Sequence, residues 1–474
     1  MIAPALVLMA ALAQAPGSPV LTLEQVLQEA QDKNPDLQMA RARLEQAQQL
    51  SRKAWSGYLP QITAGGSYTR NNNEAKLAFP AAYQVRQAVD QDGNPLVDQD
   101  GNPVNVGDSF DKNNREGGGP TPYFTGKPLY TVETTIQALN TFGAQVQLQQ
   151  ALIVPALWPA IESSELAEKV VSLNVENARR ELLFAVAQLY YGAATLRETI
   201  DVQKRMLANN QAHERDARVR FEAGTVPKIQ LVRAQIDTAR GEQDVRRALN
   251  SYASAKVALA TLLAREDAHF EVERPEAPPL PQGKPEELVS SAGEVRPDVL
   301  AAETGVKLAE KGRKATLAKY LPNLFLTGVA RWTNVKGFTG ESTSWNVGLA
   351  LSWNLWDGGL REAELKEQDA KIVEARAARR AADLKVRGEV LQAVLDLESA
   401  QANRIKAEEQ LKLARENTQL VDVNFNAGVA TQLDVSDASA MLTGAEMSVV
   451  AETLNAQLAA LRLAKAAGAF DPVQ

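Results

Sequence analysis

The chain has 474 residues, 45% hydrophobic and 23% charged, with no cysteine and two histidines. Its 51 basic and 58 acidic residues leave a formal charge of −7, which argues against the basic stripe of a nucleic-acid binder. The residue counts exclude a disulfide framework, a thiolate nucleophile, a HExxH motif and a His-rich metal site.

Residues 1–15 read as a secretory signal peptide. An unbroken apolar-or-proline run from Ile2 to Ala13 is followed by small-x-small sites ending at Ala13 and Ala15, and the first charge is Glu24. No later stretch reaches the ~20 apolar residues of a membrane-spanning helix. The first structural repeat is expected over residues 16–274. Leu23 to Asn34 and Pro35 to Trp55 read as two helices, with Pro35 at a favoured first-turn position. Past Pro60 the period changes from helical to two, so a strand is expected at about 60–70, and a partner at about 134–152. In the partner, Phe142, Ala144, Val146 and Leu148 share one face, while Gly143, Gln145, Gln147 and Gln149 share the other.

Between these strands a long loop is expected at about 71–133. It contains Asp90-Gln91-Asp92-Gly93-Asn94-Pro95 and a near repeat from Asp98. Asp-x-Asp-Gly invites a calcium reading, but the twelfth-position glutamate of an EF-hand is missing, and tandem turns explain the motif more simply.

The period then stays helical. Leu182, Val186, Leu189, Ala193, Leu196 and Ile200 form a heptad seam, and Val245, Leu249, Tyr252, Lys256, Leu259 and Leu263 repeat that spacing. Long helices are expected at about 156–221 and 227–265, the first reaching about 100 Å. Phe221, Gly224 and Thr225 mark the turn between them. A stiff Pro-rich linker, 275–285, leads to a second repeat, 286–474. There, strands are expected at about 322–333 and 343–355, and long helices at about 358–424 and 432–467, turning at Phe425, Gly428 and Val429. Uniform helices of this length indicate coiled coil. With no G-x-S-x-G motif or Walker loop, no enzyme, catalytic residue, metal or cofactor is expected.

The chain is therefore written twice. Asn34-Pro35-Asp36 and Tyr58-Leu59-Pro60 reappear as Arg296-Pro297-Asp298 and Tyr320-Leu321-Pro322, with the same distance from first to second proline. Phe221-Glu222-Ala223-Gly224 reappears as Phe425-Asn426-Ala427-Gly428. The copies differ by an excess of about 59 residues in the first strand-to-strand connection.

Strand alternation alone fits a soluble sandwich, or hairpins packed on helices, as well as a barrel. Three features favour lipid. The polar faces are Gln, Ser, Thr, Asn and Gly with few charges; long coiled coils offer no surface shaped to cover a sheet; and tryptophans flank the apolar face. Trp345 and Trp353 would lie about 20 Å apart along the membrane normal, close to the ~25 Å apolar band of outer-membrane barrels. Tyr68 and Trp332 join them as candidate membrane-interface aromatics. Four strands cannot close a barrel, so an oligomer is required; two, three or four chains would supply eight, twelve or sixteen strands.

The duplication, Tyr-Leu-Pro before each odd strand, Leu355-Trp356-Asp357-Gly358-Gly359 after the last strand and Phe-x-Ala-Gly at each helix turn resemble the TolC-type outer-membrane efflux protein family. The resemblance runs from about Leu21 to Ala467. It implies a mostly α fold with a β-barrel section: a long α-helical coiled-coil barrel and a 12-stranded trimeric transmembrane β-barrel. It further implies a homotrimer in the outer membrane of a Gram-negative bacterium, with a periplasmic helical tunnel. Such a channel is the exit duct of a tripartite efflux or type I secretion system, working with a periplasmic adaptor (membrane fusion) protein and an inner-membrane transporter. A soluble periplasmic coiled-coil scaffold is the alternative. Pro60, Pro322, Gly358 and Gly359 are expected at helix–strand junctions, although copy one has Val154-Pro155-Ala156 in place of Asp-Gly-Gly. The resemblance also places Asp434 and Asp437 at the periplasmic tip as a gate and cation ring, and gives the two helix turns an adaptor contact. Thr431 to Asp434 is equally a helix-capping signature.

Overall fold

The computed structural model describes residues 19–83 and 128–471, with residues 92, 94–97 and 99–101 between them. The expected signal peptide lies outside the described residues. In chain order the elements are β1 (Val20–Leu21), α1 (Leu23–Lys33), α2 (Pro35–Ser56), β2 (Gln61–Arg70), β3 (Ala75–Tyr83), β4 (Pro128–Gln137), β5 (Asn140–Ile153), α3 (Leu157–Glu222), α4 (Lys228–Leu262), β6 (Glu271–Val272), α5 (Pro285–Val295), α6 (Pro297–Ala318), β7 (Asn323–Thr333), β8 (Thr343–Ser352), α7 (Leu360–Asn426) and α8 (Gln432–Ala466). They form two compact units. A helical unit takes the chain up to Ala54, then Trp158–Lys319 and the chain from Asp357 onward; a β unit takes Trp55–Leu157 and Tyr320–Trp356.

In the helical unit, short helices begin where the sequence supplies caps. Thr22 and Gln25 form a capping box at α1. Proline opens α2, α5 and α6 at the position where a missing N–H costs nothing. The residue before each helix-breaking proline has a second task. In copy one, Asn34 Nδ2 donates to the Leu262 carbonyl at 2.9 Å, the last residue of α4. In copy two, Arg296 Nη1 donates to the Ala466 carbonyl at 3.3 Å, the last residue of α8. Each copy thus closes on itself by satisfying an orphan carbonyl at its final helix end.

The main core joins both ends of the first copy. Val186, Ala193 and Ile200 of the α3 seam are buried with Tyr252, Leu259 and Leu263, and Leu182, Leu189 and Leu196 pack against them. Further along α4 the buried line runs through Ala234, Thr238, Gly241 and Ala248, and Leu249 stays 44% exposed. Small side chains let α4 approach α3 closely there. A Cβ on Gly241 would come within 3.3 Å of Leu207 and Asn210 side-chain atoms. Hydrophobic counting alone misses this register, because Gly, Thr and Ala carry little apolar signal. Lys256, the apparent interruption, pairs with Glu271 at 3.2 Å and lies over the Tyr252 ring at 4.9 Å.

Parallel strands β1 and β6 pair Val20 with Glu271 and Leu21 with Val272. The fully buried Tyr190 fastens them, its hydroxyl lying 2.8 Å from the Leu21 carbonyl and 3.0 Å from that of Glu273. Burial pushes the Tyr190 phenol up to about 12, so it remains a neutral donor at physiological pH. Replacing Tyr190 by Phe removes the hydroxyl bond that joins both strands to α3, while the Leu21 carbonyl keeps the Glu273 amide at 3.2 Å. The expected loss is about 1–3 kcal/mol, read as a lower unfolding midpoint together with faster amide exchange in β1 and β6.

The β unit holds a four-stranded antiparallel sheet in the order β2-β5-β7-β8 and a separate two-stranded ladder, β3-β4. The ladder corrects the sequence reading of residues 71–133 as a loop and of 134–152 as one strand. Ala75 pairs with Gln137 and Tyr83 with Pro128, and a break at residues 138–139 separates β4 from β5. Asn71 bridges that break, donating from its backbone to the Leu139 carbonyl and from Nδ2 to the Ala138 carbonyl, each at 2.8 Å. The β-branched run Thr131-Val132-Glu133-Thr134-Thr135-Ile136 suits a strand, but its partner lies some 60 residues away, beyond any local turn signal. Of the Asp-Gly-Asn-Pro repeats, residues 92, 99 and 100 lie in turns. The remaining positions of the calcium-like motif fall largely outside the described residues.

Candidate functional site

The two turns joining long helices are built alike. At the first, the Gly224 amide donates to the Phe221 carbonyl and the Thr225 amide to the Arg220 carbonyl, both at 2.9 Å. At the second, the Gly428 amide donates to Phe425 at 3.0 Å and the Val429 amide to Asn424 at 2.9 Å. Gly224 and Gly428 have φ of +70° and +76°, the left-handed conformation this helix ending requires. Turn geometry therefore accounts fully for both glycines. Phe221 and Phe425 are half-buried, whereas Thr225 and Val429 are exposed, Val429 to 78%.

The turns also meet across the duplication. The Arg220 guanidinium lies 4.8 Å from the centroid of the Phe425 ring, and Ser436 Oγ donates to Asp237 Oδ2 at 2.7 Å. Farther along the bundle, Glu446 is bracketed by Arg205 of α3 at 3.4 Å and Arg415 of α7 at 3.5 Å. A cavity of about 180 Å³ lies near these contacts, among α3, α4 and α8, with Asn210, His213, Asp237 and Ser439 in its lining.

Asp434 and Asp437 both lie on the exposed side of the first turns of α8. Asp434 caps the helix. Its Oδ2 accepts from the Thr431 backbone N–H and stands 2.7 Å from the Thr431 hydroxyl, while its own amide donates to Thr431 Oγ1 at 3.3 Å. The Thr431 hydroxyl, then its backbone N–H, hold the Asp434 carboxyl below its usual range. Copy one lacks this arrangement, since Pro227, Gln230 and Arg233 stand where copy two has Thr431, Asp434 and Asp437. The carboxylates at these two positions come from copy two alone.

In the β unit, hydrogen-bonded register sorts the aromatic residues into two levels. Tyr68 faces Phe142, their ring centroids 5.0 Å apart, and Tyr68 Oη bonds Asn140 Oδ1 at 3.0 Å. Trp332 pairs with Thr343 and Ala144, and Trp345 with Ala330, placing all four rings toward one end of the apolar face. Trp353 marks the opposite end, its Nε1 donating to the Tyr320 carbonyl at 3.1 Å. Two further exposed aromatic residues join these, though the sequence reading did not name them as interface aromatics: Phe142, and Trp356, which is 77% exposed. Between the levels, Val347, Leu349 and Leu351 are 64–69% exposed, and Trp345 reaches 79%.

Pro60 and Pro322 stand immediately before β2 and β7. At the exit from β8, Gly358 and Gly359 adopt φ of +72° and +91°, and Asp357 accepts from the Gly359 amide at 3.3 Å and from Arg361 Nε at 2.6 Å. Copy one turns instead through a Leu157 amide bond to the Val154 carbonyl at 3.0 Å.

Comparison with known proteins gives a consistent result. The family model for "Outer membrane efflux protein" matches residues 26–96 and 288–469. Outer membrane efflux protein BepC of Brucella suis is 24% identical over 306 residues, covering 62% of this chain and 65% of that protein. Outer membrane protein OprJ of Pseudomonas aeruginosa is 28% identical over 307 residues, covering 61% and 62%. The chain thus spans just under two thirds of the length of these two relatives. Among solved structures, the outer membrane protein VceC of Vibrio cholerae superposes with a TM-score of 0.70 at 18% identity, covering 94% of this chain and 96% of that one. That likeness speaks for the fold.

Proposed function

Because the chain belongs to the outer membrane efflux protein family, we propose that it works as a homotrimeric exit duct, passing substrates from an inner-membrane transporter and its periplasmic adaptor to the exterior. Members of this family are outer-membrane channels with a periplasmic helical tunnel, not enzymes. The observation that best supports a duct is the four-stranded sheet. Its apolar face is exposed from Trp345 through Val347 and Leu349 to Leu351, and β2 and β8 are its two edges. Lipid accepts an apolar face but not unpaired strand edges, so the edges must pair with other copies. Three copies give twelve strands, the number the family resemblance implies. A soluble periplasmic scaffold is not favoured, since it would leave Trp345, Leu349 and Leu351 in water.

On this reading the paired helix turns form the periplasmic tip and receive the adaptor. Thr225 and Val429 supply exposed contact, while Phe221 and Phe425 stiffen the turns. Asp434 and Asp437 from three copies put six carboxylates at the mouth, which concentrates cations there. The capping bond does not compete with this role, because a capping carboxylate keeps its charge. The test is single-channel conductance in planar bilayers. Wild type should conduct and be blocked by a trivalent cation at neutral pH. Block should weaken in acid, because a neutralised carboxyl no longer attracts the cation. Changing Asp434 and Asp437 together to Asn should abolish block and leave the trimer assembled. Undiminished block in that variant would reduce Asp434 to a helix cap.

A further inference from the structure

We propose that Arg331 forms a positively charged ring inside the barrel, near the end where the strand loops lie, and that this ring favours anionic over cationic solutes. The inference rests on the trimeric barrel proposed above and adds a specificity-determining residue to it.

The strand register carries the argument. Arg331 of β7 pairs with Gln145 of β5 on one side and Ser344 of β8 on the other. It therefore shares the polar face with Gln147 and Asn346, one step along the neighbouring strands, and with Gly65 and Ser67 of β2. The other face carries Leu326, Trp345, Val347, Leu349 and Leu351. If lipid covers that apolar face, Arg331 points into the lumen. Among the described residues of the four strands, Arg331 is the only charged side chain on the polar face. The opposite face has one charge as well, Arg70, but it is the terminal residue of β2.

Nothing nearby cancels the charge. Its cross-strand and diagonal neighbours are neutral, the residue is exposed, and no ion pair or hydrogen bond reaches its side chain among the described residues. The acidic residue closest in register, Glu341, stands in the β7–β8 connection three residues before Ser344, and no ion pair joins it to Arg331 among the described residues. An arginine set on a wall of Gln, Ser, Asn and Gly has no packing task there. On the lumen side of a small barrel it acts through its field.

Magnitude supports an effect. Strands ~4.8 Å apart and tilted by ~40° close a twelve-stranded barrel at a radius of roughly 12–14 Å. Long side chains pointing inward bring three guanidinium groups within about one Debye length, ~8 Å at 0.15 M salt, of the axis. Their summed, screened potential enriches monovalent anions roughly threefold and depletes cations by a similar factor. At 1 M salt, where the Debye length is ~3 Å, that bias should vanish. The acidic ring proposed above has the opposite sign.

The experiment measures reversal potential across a planar bilayer under a low-salt KCl gradient, with the full-length protein. Arg331→Gln should shift the anion-to-cation permeability ratio several-fold toward cations, Arg331→Glu further, and Arg331→Lys should hold the wild-type ratio. Ferrocyanide added on the strand-loop side should block wild type and Arg331→Lys but not Arg331→Gln. Size-exclusion chromatography in detergent checks that each variant assembles; if Arg331→Glu does not, Gln and Lys still decide the question. Equal permeability ratios in wild type and Arg331→Gln would overturn the proposal. A wild-type protein that forms trimers but no pores, or no trimers at all, would instead overturn the duct reading on which it stands.

Discussion

Leu349→Arg is expected to prevent assembly of the trimer in detergent or liposomes. Leu349 sits midway between Trp345 and Trp353 on the apolar face and is 68% exposed. A charge at the midplane of a transmembrane barrel costs about 2–4 kcal/mol, and each trimer would carry three. Wild type should run as a trimer by cross-linking and light scattering, while the variant should collect as monomer or aggregate. Asn346→Lys, on the polar face beside it, should assemble as well as wild type and change only conductance. This pair separates membrane from soluble readings directly. In a soluble scaffold, removing an exposed leucine would help solubility, and Leu349→Arg would fold better than wild type.

Arg296→Met should cause the largest loss of stability in the helical unit, about 3–5 kcal/mol, since four hydrogen bonds from one buried guanidinium are lost and the half-buried Asp298 and Glu389 lose that partner. Arg296 is 8% exposed. Its guanidinium binds both Asp298 oxygens, at 3.0 and 2.7 Å, Glu389 Oε2 at 2.6 Å and the Ala466 carbonyl at 3.3 Å. The side chain thereby ties α6, α7 and the end of α8 into one unit. Thermal unfolding should show a lowered midpoint, and amide exchange at the end of α8 should accelerate. Asn34→Ala, the matching change in copy one, removes a neutral donor and should cost only about 1–3 kcal/mol. Equal midpoints for Arg296→Met and wild type would mean that the ion cluster contributes nothing.

The same cluster sets an acid limit. Burial alone would push the Asp298 carboxyl up, but hydrogen bonds from Arg296 and its charge reverse that and hold it below the usual range. A group with a depressed folded pKa adds stability above its unfolded value, and that share is lost as pH falls through the folded value. Wild type should therefore lose stability on acidification below about pH 4, and Arg296→Met should lose less over the same interval.

Much of this protein is legible in its amino-acid sequence. Duplication is visible because the proline and glycine anchors recur at matched intervals, and those residues impose backbone constraints that do not depend on distant contacts. Long helices are visible because apolar residues recur at heptad spacing. The two faces of the sheet are visible because a strand alternates with period two. Thr431 and Asp434 announce their cap from spacing alone.

Other features require the chain to be folded. The β3-β4 ladder pairs segments separated by about 60 residues, so neither strand carries a turn signal pointing to the other. The α4 seam passes through Ala234, Thr238 and Gly241, where close helix approach, not hydrophobicity, decides what is buried. Asn34 and Arg296 give no hint in the sequence that they reach the ends of α4 and α8, since those helix ends lie well over 150 residues away along the chain. Arg331 is one more basic residue until register sets it between Gln145 and Ser344 on an otherwise uncharged wall. Local sequence determines backbone conformation and the side of an element a residue occupies, because those depend on near neighbours. Which groups meet across the fold depends on pairings closed over long loops, and only the tertiary structure decides them.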